Sequence, residues 1–359
     1  MKKTVKITAL LLALCLLCPL ALAACGDDKP VVMEYKNVPV TEDVYRYWLA
    51  CYRAQFSHME TEENRARLAE IAVSNIERSL VCVGLYDGYG LRLDTSVRDI
   101  INAAMDRIEE NMGGRKALDE ALAVWGMDYN GLKTAITYEQ KAKALRQYLF
   151  GAYGAYQLSD EQKEEFYQDT YARVQMIYIP YVDFVLDDDG NRIYDPQTGT
   201  YRHVKKTDAA LERQEEKAAA VRAVLATTTT AEEFAALQKT YNEDLSAKDY
   251  PNGYYFSENE DYTTYIEELP AAALTMQVGE TREVQSAYGV HFLLRLENDT
   301  GAYANSANKD FFANFETYAE DFAFTAMISA ELPHITVYTA VKNGIRYEDI
   351  EPNFDVYWG

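Results

Sequence analysis

From Thr41 onward the apolar positions recur at helical spacing, with Val44, Tyr45, Trp48, Leu49 and Tyr52 on one stripe and Thr41 placed as an N-cap. The same periodicity predicts helices from about Glu62 to Leu85, Ser96 to Asn111, Arg115 to Trp125 and Asn130 to Leu149, with Gly113-Gly114 as a break. A strand is expected between Val31 and Val40 ahead of them. Gly151 to Tyr156 reads as a loose joint, and Ser159 with Gln162 forms a capping-box pattern for a helix to about Tyr171. The period then changes. Val174 to Ile179 is rich in strand formers and stops at Pro180, and residues 182–204 read as a β excursion turned by Asp189-Gly190. Asp208 to Ala226 is helical, and Thr230 with Glu233 opens a second capped helix through Tyr241. A short helical region at 262–274 leads through the Gly279-Glu280 turn to strands near 282–285 and 290–296. Phe311, Phe315, Tyr318, Phe322 and Thr325 predict one long amphipathic helix, and the tail from Ile335 is short and mixed.

A chain of 359 residues exceeds what one core usually supports, so two or more packed units are expected. The 48% apolar content excludes wholesale disorder. With 57 acidic against 35 basic residues the formal net charge is −22, which argues against nucleic-acid binding because phosphates attract basic surfaces. Tyrosine is abundant, 29 residues against 13 Phe and 3 Trp, which suits either cores with polar edges or a surface that binds peptides.

The first residues carry Lys2, Lys3 and Lys6, and Ile7 to Ala24 is almost wholly apolar, a pattern of export rather than of a lasting membrane span. Leu22-Ala23-Ala24-Cys25-Gly26 resembles a bacterial lipobox, which implies cleavage before Cys25 and lipidation of its thiol. Loss of residues 1–24 would remove those three lysines and take the net charge to −25. Two or more acyl chains anchor stably where one is marginal. Cys51 and Cys82 would then be the only side-chain thiols, on two helical segments whose separation sequence does not fix.

Several segments between 172 and 298 resemble the parvulin class of peptidyl-prolyl isomerases. Ala172-Arg-Val-Gln-Met-Ile-Tyr-Ile179 is similar to that family's first strand, and Glu233 to Asp244 to its helix and following acidic segment. Asn252-Gly-Tyr-Tyr-Phe256 resembles a reduced glycine-rich loop, and Tyr288-Gly-Val-His-Phe-Leu-Leu294 the closing Gly-x-His strand. With the lipobox and the flanking helices, the whole chain resembles the PrsA-type extracytoplasmic foldases. That resemblance implies an α+β fold: a mostly helical, chaperone-like domain from residues 25–171 and 299–359, with a parvulin-like domain inserted at 172–298, after a signal peptide at 1–24. It implies catalytic positions at His291, Asp244 and Ser286, and substrate-binding positions at Met176, Leu269, Tyr265 and Tyr288, with Met176 where the family has its first-strand His. It also implies a lipid anchor at Cys25, a location on the outer face of the cell membrane, and unfolded, proline-containing exported proteins as partners. Prolyl isomerisation crosses a barrier of about 18–20 kcal/mol without breaking a bond, so no cofactor or metal is expected.

Read without the resemblance, His291 lies out of phase with Val290, Phe292, Leu294 and Leu296, on the other face of its strand. Asp244 reads equally well as a loop cap, Ser286 as a turn residue and Met176 as sheet packing. His58, His203 and His334 show no metal-ligand spacing, and Asp187-Asp-Asp-Gly190 fails as an EF-hand loop because Pro196 falls at its twelfth position. Two rival functions follow: a parvulin-fold chaperone without turnover, and a solute-binding lipoprotein, the latter opposed by the lack of strand–helix alternation over residues 41–150.

Overall fold

The computed structural model describes residues 29–151, 153–198, 200–227, 230–258 and 266–356. Cys25 and Tyr265 lie outside them, as does the export leader. The fold is α+β. The chain packs as two units, one formed by residues up to Tyr156 together with Thr325–Gly359, the other by Gln157–Phe324.

The first unit opens with a hairpin where the sequence suggested one strand. β1 (Val31–Tyr35) and β2 (Val38–Thr41) pair antiparallel, with Tyr35 opposite Val38. The two-residue turn puts Lys36 and Asn37 at φ 48° and 64°, the left-handed pair that a tight hairpin requires. Five helices follow: α1 (Glu42–Phe56), α2 (Arg65–Gly88), α3 (Thr95–Asn111), α4 (Arg115–Leu122) and α5 (Tyr129–Phe150). Val44, Trp48 and Leu49 of the predicted stripe are buried on α1, and α2 buries Ile76, Leu80 and Val83. Glu139 on α5 is held among these helices, where burial raises its carboxyl to about 7. The tail is ordered by specific bonds: Thr336–Val337 adds a strand to β1, Asn353 N–H donates to the Ala50 carbonyl, and Trp125 Nε1–H donates to the Glu351 carbonyl. Cys51 and Cys82 are free, and Asn353 Nδ2 approaches Cys51 Sγ at 3.3 Å.

The second unit starts at α6 (Asp160–Thr170), opened by the expected capping box of Ser159 and Gln162. It runs directly into β3 (Tyr171–Pro180), which is longer at its start than the sequence pattern suggested because Tyr171 and Ala172 are also paired and buried. Next come the short strands β4 (Val182–Phe184), β5 (Tyr194–Asp195), β6 (Thr200–Tyr201) and β7 (His203–Lys205), then α7 (Asp208–Leu225) and α8 (Ala231–Tyr241). β8 (Tyr254–Ser257), α9 (Glu268–Leu274), β9 (Thr281–Ser286) and β10 (Gly289–Leu296) complete an antiparallel sheet of order β8-β3-β10-β9.

That sheet divides the core in two. Ile177, Ile179, Val290, Phe292 and Leu294 pack on Ala218, Val221, Phe234 and Leu237 of α7 and α8. On the other face, Val174, Met176 and Leu293 meet Tyr254, Leu269, Phe311 and Phe312. The long helix expected over 311–325 is a correction. Residues 302–304 and 306–311 form two 3-10 turns, and α10 (Phe315–Glu331) starts only afterwards. Phe311 and Phe312 are drawn into an aromatic core with Tyr167, Tyr171 and Tyr255, ring to ring at 4.9–5.7 Å, and that burial outweighs helical continuity. α6 and the 302–315 segment therefore pack with the sheet.

Candidate functional site

The site lies on the sheet face away from α7 and α8. Antiparallel register sets His291 on β10 directly opposite Tyr178 on β3. Both side chains project to the same face, and their rings stack at 4.5 Å with planes 15° apart. Tyr178 OH donates to the Tyr288 carbonyl at 3.2 Å.

His291 is only 5% exposed. Its Nε2 lies 3.1 Å from Ser286 Oγ, while Nδ1 is buried without a hydrogen-bond partner. Ser286 Oγ already accepts from Tyr288 N–H, so its own proton goes to Nε2 or to the Gly289 carbonyl, 3.3 Å away. Burial lowers the imidazole to about 4, against a weaker upward pull from Asp244. The ring is therefore neutral at pH 7.

β8 pairs only with Tyr171–Val174, which would leave the rest of the β3 edge open. The end of α8 covers it. Gln238 Nε2 donates to the Met176 carbonyl, the Tyr178 N–H donates to Asn242 Oδ1, and the Glu243 N–H donates to the Tyr178 carbonyl. This clamp sets Asp244 beside the site. Its Oδ1 accepts from Ser246 N–H and Oγ–H, and its Oδ2 accepts from the Tyr254 hydroxyl. Asp244 thus caps the 3-10 turn at Leu245–Lys248, as its loop-cap reading expects, and also lines the cavity.

These groups surround a cavity of about 390 Å³. Met176, Tyr178, Asp244 and His291 come from the sheet and the clamp, Leu269 from α9, and Ile266 from two residues before that helix. Of the positions expected from sequence, His291, Asp244, Met176, Leu269 and Tyr288 line this one cavity, and Ser286 is joined to it through His291. Tyr265 and Cys25 lie outside the described residues.

Sequence reasoning missed Tyr178 and the wall supplied by the β excursion, where Phe184, Tyr194 and Tyr201 also line the cavity. The excursion is fastened to the site by the Tyr201 N–H, which donates to the Tyr288 hydroxyl at 2.9 Å. Two signals were available: Tyr178 shares the β3 face of Met176, and aromatic residues recur across an insertion that needs none for its turns. The Asp189-Gly190 turn forms as expected, with the Asp187 carboxylate accepting the N–H groups of Asp189 and Asn191 rather than facing an ion. Among the described residues no cluster of His, Cys, Asp and Glu suits a metal, and no helix is long and apolar enough to cross a membrane.

No family model matches the chain, and no curated protein matches it. Among solved structures it is similar to PrsA from Bacillus subtilis at 14% identity, over 89% of this chain and 94% of that one, with a TM-score of 0.23. It is also similar to foldase protein PrsA from Streptococcus pneumoniae, at 14% identity over 91% and 96% with a TM-score of 0.22. The peptidylprolyl isomerase PrsA from Bacillus cereus is similar at 15% identity over 92% and 96%, with a TM-score of 0.24. At such TM-scores these likenesses assign no role to any residue.

Proposed function

We propose that the protein is a lipid-anchored extracytoplasmic foldase whose second unit catalyses cis/trans isomerisation of X-Pro bonds in exported chains. The observation that supports the reading is the convergence of His291, Asp244, Met176, Leu269 and Tyr288 on one cavity, with Ser286 against His291 Nε2. Isomerisation needs an apolar cup for the proline ring and a few fixed polar groups that favour the twisted amide over the planar one. Met176 and Leu269 supply apolar surface, at 4% and 2% exposure. The His291 imidazole lines the cavity and is held in place by its stack on Tyr178 and by Ser286 at Nε2, so it is one such fixed polar group. Asp244, fixed by three donors, needs no reorganisation on binding. On this reading Cys25 carries the lipid and unfolded exported proteins are the clients.

A protease-coupled assay on proline tetrapeptides tests the reading. The intact protein turns them over, and His291→Ala or Asp244→Ala lowers kcat/KM at least about tenfold, the loss expected from one buried hydrogen bond. Absence of turnover in the intact protein, or full turnover in both variants, rejects it.

One observation favours a second reading, a chaperone of the same fold without turnover. Met176 stands where the resemblance implies a histidine, and the expected glycine-rich loop keeps only Gly253. This reading expects suppression of client aggregation that His291→Ala and Asp244→Ala leave undiminished.

A further inference from the structure

The β excursion builds a run of ring contacts from the surface to Tyr288, whose backbone carbonyl is bonded to Tyr178 at the cavity floor. Tyr194 and Tyr201 are directly opposed across β5 and β6, so their side chains share one hairpin face, and their rings meet edge to face at 5.5 Å. Tyr201 contacts Phe184 at 6.4 Å, and Phe184 contacts Tyr288 at 5.2 Å. Tyr288 in turn receives the Tyr178 hydroxyl on its carbonyl, and Tyr178 stacks on His291. The outer end of the run is open, since Tyr194 is 47% exposed while lining the cavity.

We propose that Tyr194, Tyr201 and Phe184 form a subsite for the residue next to the proline of an extended client chain, and that it takes an aromatic or large aliphatic side chain. The inference rests on the foldase reading for the identity of the cavity. Its own basis is continuity: a chain with a proline over Met176 and Leu269 has neighbouring residues within reach of a wall that begins in the same cavity. The charged lining groups Arg192, Glu267 and Glu268 are exposed to water, where one ion pair adds at most about fivefold to affinity. Covering the exposed ring of Tyr194 and the part of Tyr201 still open to water adds roughly tenfold. Apolar selection therefore outweighs charge selection at this wall.

The test uses the intact protein and two peptide series in which the residue before or after proline is Phe, Leu, Ala, Glu or Lys. Turnover is read as kcat/KM and binding as Kd from the anisotropy of labelled peptides. In one series, Phe and Leu are preferred over Ala by roughly tenfold in Kd. Tyr194→Ser brings that ratio to within about twofold, Tyr194→Phe restores it, and Val204→Ser leaves it at the wild-type value. Val204 is a fair control because it pairs with Asp183, on the hairpin face opposite Phe184. A flat series, a preference for Glu or Lys, or a ratio unmoved by Tyr194→Ser overturns the proposal. Selective binding without turnover supports the subsite and rejects the isomerase, whereas turnover without selectivity supports the isomerase and rejects the subsite.

Discussion

At the scale of single residues, His291 couples the site to pH. Its folded-state value lies near 4, below the ordinary value of 6.5. The unfolded chain therefore binds the proton first as pH falls, and the stability that burial of the neutral ring carries is complete above 6.5 and lost between 6.5 and 4. The size of that loss is up to about 3 kcal/mol. Urea unfolding of the second unit should thus show a lower midpoint at pH 4.5 than at pH 7, and His291→Asn should remove much of the difference. An unchanged pH dependence in the variant would assign the effect to other groups. Gly289, two residues before, is a separate constraint. It sits at φ 153°, and a Cβ there would stand 2.3 Å from the Ile179 carbonyl oxygen across the strand pair. Gly289→Ala should cost about 1–3 kcal/mol in thermal or urea unfolding and displace His291 from Tyr178, read as a change in His291 ring shifts by NMR. At this scale the sequence was most informative where a residue type is rare and its phase clear. His291 stood out of phase with an apolar stripe, and that alone put it on the other face. Tyr178 carried no such mark, because a tyrosine in a buried strand has many roles and only register reveals its partner.

Among elements, local bonding was legible and long-range competition was not. Both capping boxes, Ser159 with Gln162 and Thr230 with Glu233, form with both reciprocal bonds. Such signals lie within four residues of chain and need no tertiary context. Thr230→Ala should cost about 1 kcal/mol in unfolding of the second unit, and since α8 ends in the clamp on β3, amide exchange along the β3 edge should rise with it. The hairpin at 31–41 escaped notice because Lys36-Asn37 contains no glycine, although asparagine tolerates the left-handed region better than most residues. The segment around Phe311 was misread for a different reason. Its apolar spacing fits a helix, but two adjacent phenylalanines find more ring contact inside the sheet's aromatic core than on a helix face. That core also answers what several tyrosines of the second unit do: Tyr167, Tyr171, Tyr254 and Tyr255 are buried, and the Tyr167 and Tyr255 hydroxyls meet Asp299.

Taken whole, the molecule carries one buried group in each unit, Glu139 and His291, whose proton linkages are opposite. Glu139 in the first unit has its carboxyl raised to about 7, so the protonated form is favoured by folding. Its stabilising effect is full below the ordinary value of 4.5 and declines as pH rises through 7, whereas that of His291 declines as pH falls from 6.5 to 4. Hydrogen exchange followed by unit should therefore show protection growing in the helical unit and shrinking in the sheet unit as pH is lowered from 6.5 to about 5, above the range in which the lowered carboxylates of the first unit, such as Glu60 and Asp128, take up protons. Parallel trends in both would contradict it. The helical character of the first unit was readable from periodicity over 41–150, yet its tail was not, since Tyr347, Ile350, Asn353 and Val356 are buried by contacts to residues some three hundred positions earlier. The abundance of tyrosine has a last consequence, an optical one. Trp48 and Trp125 are the tryptophans among the described residues and both belong to the first unit, whereas residues 157–324, which bear the cavity, contain none. Light absorbed only by indole therefore has no reporter of its own among residues 157–324. A single Phe184→Trp replacement would give the silent unit its own signal, beside Tyr288 and under the Arg192 guanidinium, and its quenching by a proline peptide would read occupancy of the cavity directly.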